Sequence, residues 1–318
     1  MYSIKADKSK NTQDLNISSK LVLNNGVEMP WLGIGTLYAK EGGEVESAVS
    51  EALKSGYRKI DTASAYKNLK GVGEGIRRSG IPRDEIFISS KVDNHEQGYT
   101  STIKACEKTL NYLQTDYLDL YLIHWPGKHF LETWKAMEEL YDNSLIRSIG
   151  VSNFLKYHLE YLFKECKTPP AVNQIELHPK LTQKELVQYC KAKNIQVVAW
   201  RPIMQGKVNR ILSIQEIAGK YGKTPVQIVL RWNIQNGIAT VPGYAKKEWM
   251  ISNADIFDFQ LDEKDISKIN SLNENLRLVD NQYDIKFLLK ALPKLKQKIP
   301  VLKKLLLLTV KKILKKIT

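Results

Sequence analysis

Asp61, Tyr66, Lys91 and His124 stand at, or just beyond, the C-terminal ends of three successive strand-like runs. Asp61 lies in YRKIDTA, Tyr66 follows in DTASAY, Lys91 closes IFISSK and His124 closes YLDLYLIH. If those runs are parallel neighbours, a carboxylate, a phenol, an ammonium and an imidazole share one mouth. Such a set suits delivery of a proton to a carbonyl oxygen that is becoming an alkoxide. A free phenol titrates near ~10 and is a poor acid at neutral pH, so the Lys91 ammonium is expected to lower its pKa. Asp61 would keep that lysine charged and aimed, and His124 would orient the carbonyl. None of the four supplies a hydride, so reduction would require a nicotinamide cofactor. Taken singly, each has a plainer reading: an Asp at a strand end usually caps a turn, and a Tyr opening a helix usually packs.

The elements that must position them follow from periodicity. Short apolar runs at 32–36, 57–63, 86–92, 118–125, 146–153, 171–176, 196–202 and 237–242 alternate with helix-length amphipathic segments. This argues for βα units and a parallel sheet, and eight units suggest a closed (β/α)8 barrel. In EVESAVSEALKSG, the residues Val45, Ala48, Val49, Ala52 and Leu53 form one apolar stripe that stops at Gly56. LVLNNGVEMP carries an Asn-Gly turn between apolar flanks, a hairpin that would cap the N-terminal end of the barrel. Gly71, Gly73 and Gly75 fall inside a predicted helix, so they read as close-packing positions. No dinucleotide fingerprint follows a strand, and a doubly wound fold is disfavoured.

A chain of 318 residues accommodates one such barrel of about 250 residues, or two smaller domains. Its 43% hydrophobic and 26% charged content is that of a soluble globular protein. The first sixteen residues are polar and lack an apolar core, so no secretory signal is visible and a cytoplasmic address is expected. Cys106, Cys166 and Cys190 are odd in number and without CxxC spacing, so neither a disulfide framework nor a metal site is expected. Of the net charge of +14, eleven units come from lysines after residue 284, where there is no acid, leaving +3 for the rest. That tail offers Lys with Leu and Ile rather than Arg with aromatics, which argues against nucleic acid as a partner.

DTASAY, ISSK, LIHWP, GVSNF, AVNQIELHP, AWRP, GKTPVQIVLRW and NADIFDFQL occur in an order and spacing that resembles the aldo-keto reductase family, from about Leu21 to Leu272. The resemblance implies an (α/β)8 barrel that reduces an aldehyde or ketone with NADPH or NADH and no metal. It makes Tyr66 the proton donor and Asp61, Lys91 and His124 its partners. It also implies that Ser152, Asn153 and Gln174 hold the carboxamide of the cofactor and that Trp200 stacks on the nicotinamide ring.

Departures from the family pattern are informative. Where the family often has Lys, Ser and Arg gripping the 2′-phosphate of NADPH, VPGYAKKEWMISN places Gly243, Tyr244 and Trp249, with Asn253 retained. Each lost charge-assisted hydrogen bond is worth ~1.5–3 kcal/mol, so relaxed or NADH-leaning specificity is expected, unless Lys246 and Lys247 substitute. Arg201 replaces the usual Ser after the stacking aromatic and is placed to pair with the pyrophosphate, or to form a rim salt bridge. In the substrate pocket, Leu37 or Tyr38 and Asp93 stand where aromatic residues are common, while Trp125 remains. This favours a polar, hydroxylated or cationic substrate, although Asp93 reads equally as a turn residue.

The domain reading is therefore a polar segment at 1–20, a barrel at 21–282 and a foreign tail at 283–318. In the tail, Leu302, Leu305, Leu306, Val310, Ile313, Leu314 and Ile317 share a helical face opposite Lys304, Lys311 and Lys315. Six lysines within 301–317 make spanning a bilayer costly, at roughly 3 kcal/mol each when central. An amphipathic helix on an anionic membrane surface, at the inner face, fits the pattern; docking on protein is the alternative. A competing class is a cofactor-sensing or membrane-bound accessory subunit with weakened catalysis, against which the intact Asp61, Tyr66, Lys91 and His124 set weighs.

Overall fold

The computed structural model describes residues 15–243 and 246–280. Met1–Arg277 form one compact unit and Leu278–Thr318 a second. Tyr244 and the amphipathic helix expected in the tail lie outside the described residues.

Each of the eight apolar runs becomes a parallel strand. They are β3 (Ile34–Gly35), β4 (Lys59–Asp61), β5 (Phe87–Val92), β6 (Leu120–Ile123), β7 (Ile149–Ser152), β8 (Val172–Glu176), β9 (Gln196–Trp200) and β10 (Ala239–Val241), paired in chain order. β10 returns to β3: Gly33 N donates to Thr240 O at 3.0 Å, Thr240 N to Trp31 O at 2.9 Å and Gly35 N to Pro242 O at 2.9 Å. The sheet is thus closed on itself, a (β/α)8 barrel, which removes the exposed strand edges of an open sheet.

The antiparallel hairpin of β1 (Lys20–Val22) and β2 (Glu28–Pro30) precedes the barrel. Its loop is one residue longer than a two-residue Asn-Gly turn, with Asn24, Asn25 and Gly26 between Leu23 and Val27: Gly26 N donates to Leu23 O, Leu23 N donates to Val27 O, and Gly26 takes the positive φ. Leu21, Leu23 and Met29 of the hairpin cluster with Phe87, Leu120, Val172 and Ala239, residues at the starts of barrel strands. The hairpin therefore plugs the N-terminal end and leaves the C-terminal end for chemistry.

Parallel strands need long crossovers, which helices provide. The helices are α1 (Gly43–Lys54), α2 (Leu69–Ser79), α3 (Tyr99–Leu113), α4 (Phe130–Asp142), α5 (Lys156–Glu165), α6 (Lys184–Ala192), α7 (Leu212–Tyr221), α8 (Pro225–Gln235), α9 (Lys247–Ala254) and α10 (Glu263–Asn270). The expected α1 stripe is the buried one. α8 starts where Thr224 and Gln227 form a capping box, with Pro225 in the first turn. Gln227 Nε2 then donates to Ser252 O at 3.0 Å and Asp255 O at 2.9 Å, fixing the end of α9 that carries Asn253.

The α2 glycines are packing residues, as read. A Cβ at Gly71 would lie 2.3 Å from Val45 Cγ1, one at Gly73 2.7 Å from Leu113 O, and one at Gly75 2.6 Å from Glu46 O. Close approach of α2 to α1 and α3 fixes the turn ahead of α2, which bears Tyr66. Among the described residues no helix is long and apolar enough to cross a membrane.

Candidate active site

Strand alternation sends Lys59 and Asp61 to one side of β4, and Ser89 and Lys91 to one side of β5. The register sets Asp61 opposite Ser89. Lys91 Nζ then places its three protons on three acceptors: Asp61 Oδ1 at 2.6 Å, Thr62 O at 2.9 Å and Tyr66 Oη at 3.3 Å. Tyr66 is carried by a single 3-10 turn, Ser64–Tyr66, and its ring meets the His124 ring edge to face at 6.0 Å between centroids. The four expected residues are brought together.

Two partners of Asp61 were not read from the sequence. Ser89 Oγ and Gln174 Nε2 both donate to Asp61 Oδ2, each at 2.8 Å. β8 lies four strands from β4 in a ring of eight, so Gln174 reaches directly across the lumen. Ser89 was legible in principle, because it stands two residues before Lys91 and must share its face. Gln174 was not, because its partner is 113 residues away.

The charges follow from this network. Burial opposes ionisation of Asp61, but the Lys91 charge and the hydrogen bonds from Lys91, Gln174 and Ser89 outweigh it and hold the carboxyl below its ordinary pKa. Burial likewise opposes the Lys91 charge, while Asp61 and Tyr66 hold its pKa above the usual value. Tyr66 behaves opposite to expectation. Burial raises its pKa by more than Lys91 lowers it, Asp61 adds to the rise, and the phenol titrates above its ordinary value. His124 is pushed down to about 3 by burial and then by the Lys91 charge, against the pull of Asp61. Its Nδ1 is buried without a partner. The site therefore holds an ionised pair, a protonated phenol and a neutral imidazole.

The residues assigned to the cofactor by resemblance form a second network on the adjoining rim. Ser152 Oγ donates to Gln174 O at 2.9 Å, and Asn153 Nδ2 donates to His124 O at 2.9 Å and Ser152 Oγ at 3.0 Å. Trp200 Nε1 donates to Asn153 Oδ1 at 2.9 Å, which fixes the indole plane. Gln174 Nε2 spends one of its two protons on Asp61, so Oε1 and the second N–H of that amide are left for a ligand. Arg201, in the left-handed region at φ 52°, stacks beside Trp200 and donates to Tyr38 Oη at 2.6 Å, bridging the loops after β3 and β9. Its Nε is buried with no acceptor. An indole held edge-on, an amide acceptor and an unanswered guanidinium N–H on one rim fit the nicotinamide and phosphate ends of a dinucleotide.

The remaining expected residues are dispersed. Gly243 pairs by backbone with Gly35, and Asn253 is buried on α9. Trp249 is exposed beneath Lys246, whose ammonium lies 5.6 Å from the ring centroid, and Lys247 leans to Glu51 of α1 at 3.9 Å. Leu37 and Trp125 are half-buried and Tyr38 is exposed. Asp93 resolves toward its turn reading: its Oδ1 accepts from Asn94 N at 2.6 Å and it forms a capping box with Glu96. A short polar turn begins there, and the carboxylate serves it. Among the described residues no His, Cys, Asp or Glu cluster could hold a metal ion.

Comparison with known proteins agrees with this fold. The sequence model of the Aldo/keto reductase family matches residues 32–274. Glyoxal reductase of Bacillus subtilis (strain 168) is 50% identical over 275 residues, covering 86% of this chain and 99% of that protein. A crystal structure of an aldo/keto reductase from Brucella melitensis superposes with a TM-score of 0.78 at 44% identity, covering 80% of this chain and 99% of that one. An aldo-keto reductase complexed with NADPH superposes with a TM-score of 0.78 at 33% identity, over 82% of this chain and 90% of that one. Sequence over most of the chain and the barrel fold agree, and the chain belongs to the aldo/keto reductase family, as an oxidoreductase acting on carbonyl compounds.

Proposed function

We propose that the protein reduces a small polar aldehyde or ketone, of the glyoxal type, using bound NADPH or NADH, with Tyr66 as the proton donor. The observation that carries this reading is the saturation of Lys91. Its protons lie on Asp61, Thr62 and Tyr66, so the Tyr66 oxygen is an acceptor and keeps its own proton for a substrate. A nicotinamide, when bound, supplies the hydride. Tyr66 gives its proton to the forming alkoxide while Lys91 stabilises the phenolate left behind, and neutral His124 donates a hydrogen bond to the carbonyl oxygen. Leu37, Tyr38 and Trp125 would line the approach, with Asp93 set back in its turn. Ser152, Asn153, Gln174, Trp200, Arg201 and Asn253 would hold the cofactor.

A Tyr66→Phe protein should retain its Kd for NADPH and lose about 10²–10⁴-fold of glyoxal turnover. Undiminished turnover would remove Tyr66 from this role. With Gly243 and Trp249 at the two positions where the family pattern often carries Lys and Arg, discrimination for the 2′-phosphate is weak in this reading, and NADPH and NADH should differ by no more than about tenfold in Kd. Quenching of tryptophan fluorescence during separate titrations measures the ratio. A far larger preference for NADPH would assign the phosphate to Lys246 or Lys247 instead.

The tail is a separate appended segment in this reading, one that lies on an anionic membrane surface through its apolar face and lysines. Deleting 283–318 should abolish sedimentation with phosphatidylserine vesicles; unchanged sedimentation sinks that part.

A further inference from the structure

Beside the turn that bears Tyr66, residues of α2, α3 and the turn Asn94–Glu96, with Glu41, Ser64 and Lys67, line a cavity of about 280 Å³. Leu69, Ala105 and Thr109, all buried, form its apolar side, and Tyr112 supplies an aromatic wall. Five charges border it, and they are unequally engaged. Glu41 Oε1 accepts from Gly71 N at 2.8 Å in the first turn of α2. Glu96 Oε2 accepts from Ser64 Oγ at 2.6 Å and from Asp93 N at 3.3 Å. The lysines are not so engaged. Among the described residues, no carboxylate pairs with Lys67, Lys70 or Lys108; Lys70 and Lys108 only flank the Tyr112 ring, at 5.0 and 5.6 Å from its centroid.

Three ammonium groups around one concavity repel one another, and both carboxylates beside them already serve backbone or hydroxyl donors. An anion entering the cavity relieves that repulsion and gains the field of all three. A phosphate monoester carries about −1.5 to −2 charge at neutral pH; Glu41 and Glu96 keep their own charges, so the ester must lie on the lysine side of the cavity, away from both carboxylates. The volume lies just below the range of small-molecule sites, about 300–1,000 Å³, which excludes a dinucleotide and suits a body of one ring or a few carbons. We propose that this cavity is a second binding site, for a small phosphate dianion held by Lys67, Lys70 and Lys108 with any organic body against Tyr112 and Leu69. Ser64 and Lys67 bracket Tyr66 in the chain, and Ser64 Oγ also lies 3.2 Å from Lys91 O. The cavity therefore borders the segment that carries the proton donor, without including Tyr66 or Lys91 in its lining.

Equilibrium dialysis of the full chain with phenyl phosphate, inorganic phosphate and phenol, at fixed ionic strength, tests the site without reading catalysis. Failure of the reductase reading would therefore leave it standing. Phenyl phosphate should saturate with a Kd on the order of 1 mM or tighter, and phenol should not. A Lys70→Gln/Lys108→Gln protein should bind it at least about tenfold more weakly, with basal turnover unchanged, since neither lysine touches the reacting groups. Tighter binding of phenyl phosphate than of inorganic phosphate assigns an ester; equal binding assigns free phosphate. Either probe binding equally to wild type and variant would place the anion elsewhere, for instance at Arg201, and overturn the proposal, as would failure to saturate. Single Lys70→Gln and Lys108→Gln proteins, each at an exposed helical position, give intermediate affinities if the site is right and keep the test decisive if the double variant folds poorly.

Discussion

Lys91 and Asp61 form an ion pair at 2.6 Å with side chains 1% and 5% exposed, so neither can lose its partner cheaply. Asp61→Asn or Lys91→Met alone should each cost about 3–5 kcal/mol of stability, because each strands a buried charge. The double variant should cost clearly less than the sum, and urea denaturation of the four proteins measures the coupling. Simple additivity would mean that the pair is not a unit. For His124, the sign of the pH effect is fixed by a folded pKa of about 3 against 6.5 for the free side chain. The unfolded chain binds the extra proton between those values, so stability is full above pH 6.5 and falls toward pH 3, by up to about 5 kcal/mol from this residue. His124→Gln should flatten that acid limb in denaturation curves at pH 4 and pH 7. The four residue types and their shared mouth were legible in the sequence. The direction of the Tyr66 shift was not, because desolvation depends on what covers the ring, and that is absent from spacing.

At the scale of elements, the barrel is read from eight apolar runs because strand and helix periods are local properties of the chain. Contacts between elements are testable through glycines. A methyl at Gly73 would press on the Leu113 backbone at 2.7–3.0 Å, where nothing flexible can give way. Gly73→Ala should therefore destabilise by about 1–3 kcal/mol through overpacking of α2 on α3. Gly219, inside α7 with open space within 4 Å of where a Cβ would stand, should behave oppositely. Gly219→Ala should stabilise by about 0.5–1 kcal/mol through helix propensity alone. Thermal melts of the two variants should move in opposite directions, and a common direction would show that packing is not what distinguishes them. Asp93 marks the limit of reading at this scale. Asp-Asn is both turn chemistry and a plausible wall, and the capping geometry with Glu96 decides for the turn.

For the molecule as a whole, the barrel interior contains a cation that its chemistry does not use. Lys59 precedes Asp61 by two residues on β4 and is 0% exposed. Its stem occupies the space a side chain at Gly33 would need, with Lys59 Cγ 2.8 Å from a Cβ there. Its ammonium meets Met29 Sδ of the hairpin at 3.1 Å and faces the Phe87 ring at 5.9 Å. Burial lowers its pKa to about 8; Asp61 opposes the shift and Lys91 adds to it. An unfolded lysine holds its proton up to about 10.5, so the unfolded state binds more protons between pH 8 and 10.5 and stability rises with pH there. Lys59→Met, close in shape and apolar, should raise stability at pH 7 by roughly 1–3 kcal/mol and remove this rise. The difference between wild-type and variant urea midpoints at pH 7 and pH 10 isolates the effect from other titrating groups. An equal difference at both values would contradict it.

The sequence by itself determined the order of strands and helices, the hairpin, and which end of which strand carries Asp61, Lys91 and His124. Those features depend on period, turn chemistry and chain order, all of which act over a few residues. Closure of the ring decided the rest. It set Gln174 across the lumen against Asp61, joined Arg201 to Tyr38 over 163 residues, buried Lys59, and took enough water from Tyr66 to move both titrations in directions that spacing did not foretell. Long-range contact and loss of water are properties of the closed barrel, and a pKa or a hydrogen bond that depends on them appears only once the chain has folded back on itself.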